Sequence, residues 1–172
     1  PTDFTAAELD AIRSDFPILG RVGRGARPLR TSSVSDLAKA KAVIDAEATF
    51  YRRSNGAVHR GTHLLGDEAT DAFESARSTL ASFVGARPDE IVWTKNATEA
   101  INLVALSMGN ASQGMGGALA APMRVGPGDR IVCTRAEHHA NIVPWQQLCE
   151  RRAELAWLDL TPDGRIDLDT LS

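Results

Sequence analysis

The chain has 172 residues, enough for one domain of ordinary size, with 43% hydrophobic and 24% charged residues. That balance excludes wholesale disorder, and a formal net charge of −3 gives no basic surface of the kind that draws nucleic acid. No run of about 18 apolar residues occurs, so no membrane-spanning helix is expected, and the start Pro1-Thr-Asp-Phe4 lacks the pattern of a signal peptide.

The spacing predicts a short helix over Thr5 to Ser14. Thr5 caps it and Glu8, three residues on, completes a capping box. Asp15-Phe-Pro17 stops it, and the Gly- and Arg-rich stretch from Gly20 to Arg30 reads as a solvated loop. From Asp36 to Arg53, Leu37, Ala40, Val43, Ile44, Ala48 and Tyr51 recur on one face of an amphipathic helix. Ser54-Asn-Gly56 ends it with residues that tolerate a left-handed backbone. A second amphipathic helix is predicted over Asp67 to Val84, closed by Gly85.

Ile91-Val-Trp93 reads as a short buried strand, and Thr98 to Met108 as a helix apolar almost all round and therefore buried. Gly109 to Met123, rich in Gly, Ala and Ser, reads as a mobile insertion or loop. Gly126-Pro-Gly-Asp129 is a turn before a strand at Arg130 to Thr134. A helix follows from Asn141 to Arg152, with Pro144 in its first turn, then a strand at Leu155 to Leu160 and a turn at Thr161 to Gly164. The last residues, from Asp167, read as the opening of a helix. Strands alternating with helices predict an α/β fold in three α/β/α layers around a mostly parallel sheet, with Ile91 and Ile131 in one sheet. The two cysteines, Cys133 on a strand and Cys149 on a helix, are expected to be packed and reduced, which fits a cytoplasmic location.

The chemistry lies in three places. A strand that feeds directly into a helix leaves the backbone N–H groups of Asn96, Ala97, Thr98 and Glu99, with the Thr98 hydroxyl, free for a phosphate. His138 follows a strand C-terminus, where open α/β sheets bind ligands, and its imidazole can stack on a heteroaromatic ring and move protons. His59 and His63 are four apart, but Gly61 between them argues against one helical face. No metal site is assigned, and a histidine-based metal-dependent hydrolase ranks last.

The phrases Ala57-Val-His-Arg-Gly-Thr-His63, Lys95-Asn-Ala-Thr-Glu-Ala-Ile-Asn-Leu-Val104 and Glu137-His-His-Ala-Asn-Ile-Val-Pro-Trp145 closely resemble the Suf-type cysteine desulfurases, within the class V aminotransferase family. Asp15-Phe-Pro-Ile-Leu19 and Asp163-Gly-Arg-Ile-Asp167 are similar to further landmarks of that family. The resemblance implies the N-terminal part of a fold-type I pyridoxal 5'-phosphate-dependent transferase. Residues 1–35 would be an N-terminal segment and 36–172 an incomplete large domain. It implies a homodimer that takes sulfur from L-cysteine, leaving alanine and an enzyme persulfide, and passes it to a Suf-type acceptor for iron–sulfur cluster assembly.

By the same resemblance, Thr98 with Ala97 and Glu99 holds the cofactor phosphate. His138 stacks on the cofactor ring as the catalytic imidazole, and His59 and Arg60 border the substrate pocket. The family also needs a lysine bonded to the cofactor, an aspartate at the ring nitrogen and a persulfide cysteine. Lys39, Lys41 and Lys95 are the only lysines and none has the family's context, nor do Cys133 and Cys149 match the sulfur carrier. Pro28-Leu-Arg-Thr-Ser-Ser-Val-Ser-Asp36 replaces a turn that in relatives helps to form the substrate pocket. The chain alone is thus expected to hold the cofactor without a covalent bond. A truncated or degenerate non-catalytic relative is the alternative.

Overall fold

The computed structural model describes residues 4–22, 39–150 and 152–170, which divide into two compact units with the boundary between Ile91 and Val92. The predicted loop at Gly20 to Arg30 lies mostly outside the described residues. So do all of the altered Pro28–Asp36 segment and the end of the chain at Leu171 and Ser172.

The first unit is helical. Helix α1 spans Ala6–Ser14 and carries the expected capping box: Thr5 Oγ1 accepts from the Glu8 N–H, and the Glu8 carboxylate accepts from the Thr5 N–H at 2.8 Å. Those bonds to Thr5 hold the Glu8 carboxyl below the usual carboxylate range. Helix α2 spans Lys41–Arg53, beginning later than the spacing suggested, with Lys41 and Asp45 paired one turn apart. Its predicted apolar face is exposed at Val43, Ile44 and Tyr51. Ser54 ends it without a left-handed residue, and the Asn55-Gly56 pair stays at negative φ.

Helix α3 spans Leu64–Val84 and starts three residues before the predicted Asp67, because His63 caps it. Its Nδ1 accepts from the Gly66 N–H at 3.3 Å. Gly85 closes the helix at φ 71, as its sequence position required. Gly66, Ala69 and Ala81 are buried, whereas Phe83 on the predicted apolar side is 84% exposed.

The second unit is an α/β arrangement. Helix α4 spans Ala97–Ser112, strand β1 Arg130–Thr134, helix α5 Val143–Cys149, and strand β2 Glu154–Leu160. β1 and β2 pair in parallel, from Arg130 opposite Glu154 to Thr134 opposite Leu158, so α5 is the crossover that a parallel pair demands. A two-residue strand β3, Ile166–Asp167, returns antiparallel to β2 through the predicted turn, in which Gly164 has φ 82. The α/β fold class is as expected, and the sheet is small and mixed, in the order β1-β2-β3. The core is made of Ala105, Ala111, Val125, Cys133, Leu148 and Cys149.

Three further expectations need correction. Ile91-Val-Trp93 forms no strand: Ile91 is extended at φ −93 and ψ 121, but its carbonyl accepts from the Arg77 guanidinium instead of a ladder partner. It therefore does not share a sheet with Ile131. Helix α4 is not buried all round, since Leu103, Val104 and Leu106 are 42–61% exposed while only Ala105 and Ala111 are buried. The stretch from Gly109 is not wholly loop: its first residues complete α4, and the remainder is tied back where Ser112 Oγ accepts from the Val125 N–H at 2.8 Å. The predicted turn at Gly126 to Asp129 forms as expected, with Gly128 at φ 95 and the Asp129 carboxylate accepting from the Gly126 N–H at 2.8 Å.

Candidate functional site

In the second unit, the residue that starts α4 is Asn96, not Thr98. Its Oδ1 accepts from the Glu99 N–H at 2.9 Å, and the Glu99 carboxylate reaches back to the Lys95 N–H at 2.6 Å. This is a variant capping box, and an Asn three residues before a Glu is a sequence signal that would have found it. The Glu99 amide is thereby engaged inside the protein. The amides of Ala97 and Thr98 lie in the first turn, where a helix has no acceptor of its own, and the Thr98 hydroxyl has no partner among the described residues. Two amides, a hydroxyl and the positive end of a sixteen-residue helix suit a phosphate. The Glu99 carboxylate, held by the Lys95 amide and by its ammonium at 3.5 Å, is neutralised locally.

His138 stands at the end of β1, as the N-cap of the short 3-10 turn His139–Asn141. Its Nδ1 accepts from the Ala140 N–H at 3.2 Å, so the neutral ring carries its proton on Nε2. The ring is exposed and lies 4.1 Å from that of His139 at 31°. His139 thus flanks the ring, which is otherwise exposed. The His139–Asn141 turn packs against α4, so Ala97, Thr98, Glu99 and His138 belong to one unit and to touching elements.

His59 and Arg60 belong to the first unit. His59 has φ 59, the one non-glycine left-handed residue among those described. Its N–H donates to Thr70 Oγ1 at 3.0 Å, and its Nε2 lies 2.9 Å from Glu74 Oε1. Glu74 also accepts from Arg77 at 3.1 Å, and the Arg77 guanidinium lies over the Phe73 ring. The loop is seated by glycines: a Cβ on Gly61 would stand 2.5 Å from the Gly66 Cα. Arg60 is exposed at the tip and its side chain has no partner among the described residues. Glu74 lies fifteen residues from His59, beyond any local pattern, and nothing in the sequence pointed to it.

No cluster of three or more His, Cys, Asp or Glu in metal-binding reach occurs among the described residues. No helix among them is long and apolar enough to cross a membrane. Cys133 and Cys149 are each 6% exposed, and their thiols lie near the carbonyls of Asn141 and Glu154, respectively, at 3.8 and 3.7 Å. Burial pushes both thiols up, with Glu137 and Cys149 adding to the effect at Cys133. Such thiols are poor nucleophiles. They should react with a disulfide reagent only after denaturation. Raised folded values also mean that the unfolded thiols ionise first. Their contribution to stability is therefore complete below about pH 8.5 and declines as pH rises past it. A chain with both cysteines replaced by alanine should lose this part of the alkaline decline. Rapid labelling of the native chain would contradict the burial.

The sequence model of the family described as "Aminotransferase class-V" matches residues 37–172. The chain thus belongs to the class-V aminotransferase family. The chain is 49% identical over 170 residues to "Probable cysteine desulfurase 2" of Mycobacterium leprae, covering 97% of this chain and 39% of that protein. It is 44% identical over 165 residues to a cysteine desulfurase of Klebsiella pneumoniae, covering 95% of this chain and 38% of the other. The apo structure of a cysteine desulfurase from Thermococcus onnurineus superposes with a TM-score of 0.75 at 31% identity, over 94% of this chain and 36% of that one. The chain therefore spans about two-fifths of the length of these relatives.

Proposed function

We propose that the chain forms the N-terminal, cofactor-phosphate-binding part of a pyridoxal 5'-phosphate-dependent cysteine desulfurase of the Suf type. The observation that carries this reading is the meeting of two parts in one unit: the free amides and hydroxyl at Thr98, and the exposed imidazole of His138 on a turn packed against the same helix. Ala97 and Thr98 bind the phosphate through N–H groups and a hydroxyl, and the Asn96–Glu99 cap keeps them aimed outward. His138 stacks on the ring, and its Nε2, the nitrogen not engaged by Ala140, exchanges protons with the substrate. When bound, the cofactor supplies an electron sink for the amino-acid carbon skeleton.

The reaction is the transfer of sulfur from L-cysteine to an enzyme thiol, giving L-alanine and a persulfide. The persulfide goes on to a Suf-type acceptor protein for iron–sulfur cluster assembly. The complete enzyme acts as a homodimer in the cytoplasm, and His59 and Arg60 border its substrate pocket. Residues 36–172 belong to its large domain and 1–35 precede it. The exposed apolar faces of α2 and α4 support membership of a larger body, since large patches of this kind are unusual on a free surface.

For the 172 residues taken alone, a non-catalytic role is the second reading. Lys41 and Lys95 are engaged with Asp45 and Glu99 on helix surfaces, and Lys39 is exposed. The test is a chimera in which this chain replaces the matching segment of the M. leprae relative. Cofactor-dependent formation of alanine from L-cysteine is expected. A folded, cofactor-loaded chimera that forms none would overturn the proposal.

A further inference from the structure

Asn141 uses every polar group it has at the His138 turn. Its N–H donates to the His138 carbonyl at 2.7 Å, and its own carbonyl lies 3.8 Å from the Cys133 thiol. Its side-chain Nδ2 donates to Glu137 Oε2 at 3.0 Å, and its Oδ1 accepts from Trp145 Nε1 at 2.9 Å. The amide orientation is settled by chemistry, because an indole N–H only donates and a carboxylate only accepts. Glu137 is joined in turn to Thr134 Oγ1 at 3.4 Å. One side chain therefore ties together the end of β1, the turn and the first turn of α5. All four side chains are partly buried, so the bonds are shielded from water.

We propose that Asn141 is a positioning residue for His138. Through the Glu137–Asn141–Trp145 chain it holds the turn in the shape that keeps the Ala140 N–H on Nδ1, the ring beside His139 and Nε2 as the free nitrogen. Its importance for turnover rests on the role given to His138 above, but the geometry stands without it. The network is assigned no contact with substrate or cofactor. Its effect is on the aim and the proton position of one imidazole.

The test uses a donor–acceptor swap. Asn141→Asp sets a carboxylate against the Glu137 carboxylate, where an amide donated at 3.0 Å. Adding Glu137→Gln restores a donor facing an acceptor, and the introduced carboxylate can still accept from Trp145. The first readout is made on the 172-residue chain without cofactor: the 15N shift of His138 Nδ1 and hydrogen exchange at the Ala140 amide. The single variant should lose the acceptor signature at Nδ1 and speed exchange at Ala140 by about tenfold or more. The double variant should recover both. In the chimera, the single variant should lower kcat by up to about 10²-fold with little change in KM for cysteine, and the double should regain it.

If Asn141→Asp does not fold, Trp145→Phe, which removes only the indole donor, decides by the same Nδ1 and Ala140 signals. An unchanged Nδ1 signal in the variant that folds, or a double variant as perturbed as the single, would overturn the proposal. A chimera indifferent to His138→Ala would instead defeat the cofactor reading and leave the Nδ1 result standing.

Discussion

His138→Ala in the chimera should reduce turnover by about 10²–10⁴-fold, the usual range for a positioned general acid–base group. The side chain is exposed and its ring nitrogen bonds to the Ala140 amide of its own turn, so removing it disturbs little packing. The melting temperature should accordingly stay close to that of the parent chimera. His139→Ala provides the contrast. It removes the ring that flanks His138 but leaves the Ala140 bond to Nδ1 in place, so its effect on turnover should be much smaller. Equal losses from the two substitutions would mean that the stacked pair, rather than His138, matters. Turnover within about twofold of the parent for His138→Ala falls far below the acid–base range and would leave His138 as a plain loop residue.

The largest effect on stability is expected at Gly61. A methyl group there meets the Gly66 Cα at 2.5 Å, backbone against backbone, and neither side is a flexible side chain that can swing away. Overpacking of this kind costs about 1–3 kcal/mol, and for a unit of this size that lowers the melting temperature by roughly 5–15 °C. The loop must also lift from α3. That would break the bond from the His59 N–H to Thr70 and the contact of its ring with Glu74. Without those bonds less offsets the left-handed backbone of His59, which is costly for a residue with a side chain. Gly20→Ala is the control, because a Cβ there meets nothing within 4 Å. A Gly61→Ala chain that melts with the parent would show that the loop is not seated as described.

Local rules explain what was legible in the sequence. The Thr5–Glu8 box, the Gly85 stop, the turns at Gly126 and Gly164 and the strand at Arg130 follow from residues within four positions of each other. So does the burial of Cys133 and Cys149. The misses at Ile91 and at helix α4 are matters of partnership over distance. Ile91-Val-Trp93 has a strand's composition, but its carbonyl at Ile91 is taken by Arg77 from α3. Helix α4 has a buried helix's composition, yet much of that apolar surface faces outward.

At the site, a helix starting one residue before the expected Thr98 and the position of His138 after β1 were readable. Thr98 has the composition of a cap, whereas Asn96, two residues earlier, is the one that caps. The Glu137–Asn141–Trp145 chain was hidden because its four-residue spacing acquires meaning only once the turn and α5 share one direction. The His59–Glu74 pair was hidden because a loop and a helix must first be brought together by two glycines.

The central claim is that the start of α4 holds the cofactor phosphate, and amide-resolved titration of the 172-residue chain with pyridoxal 5'-phosphate tests it most directly. Shifts should centre on the Ala97 and Thr98 amides and reach the His138 ring, while pyridoxal without the phosphate should leave the two amides unmoved. Thr98→Ala should weaken the response without loosening the helix, because Asn96 is the cap. Asn96→Ala should cost about 1 kcal/mol of stability in addition. Shifts that centre elsewhere, or a titration that Thr98→Ala leaves unchanged, would contradict the account.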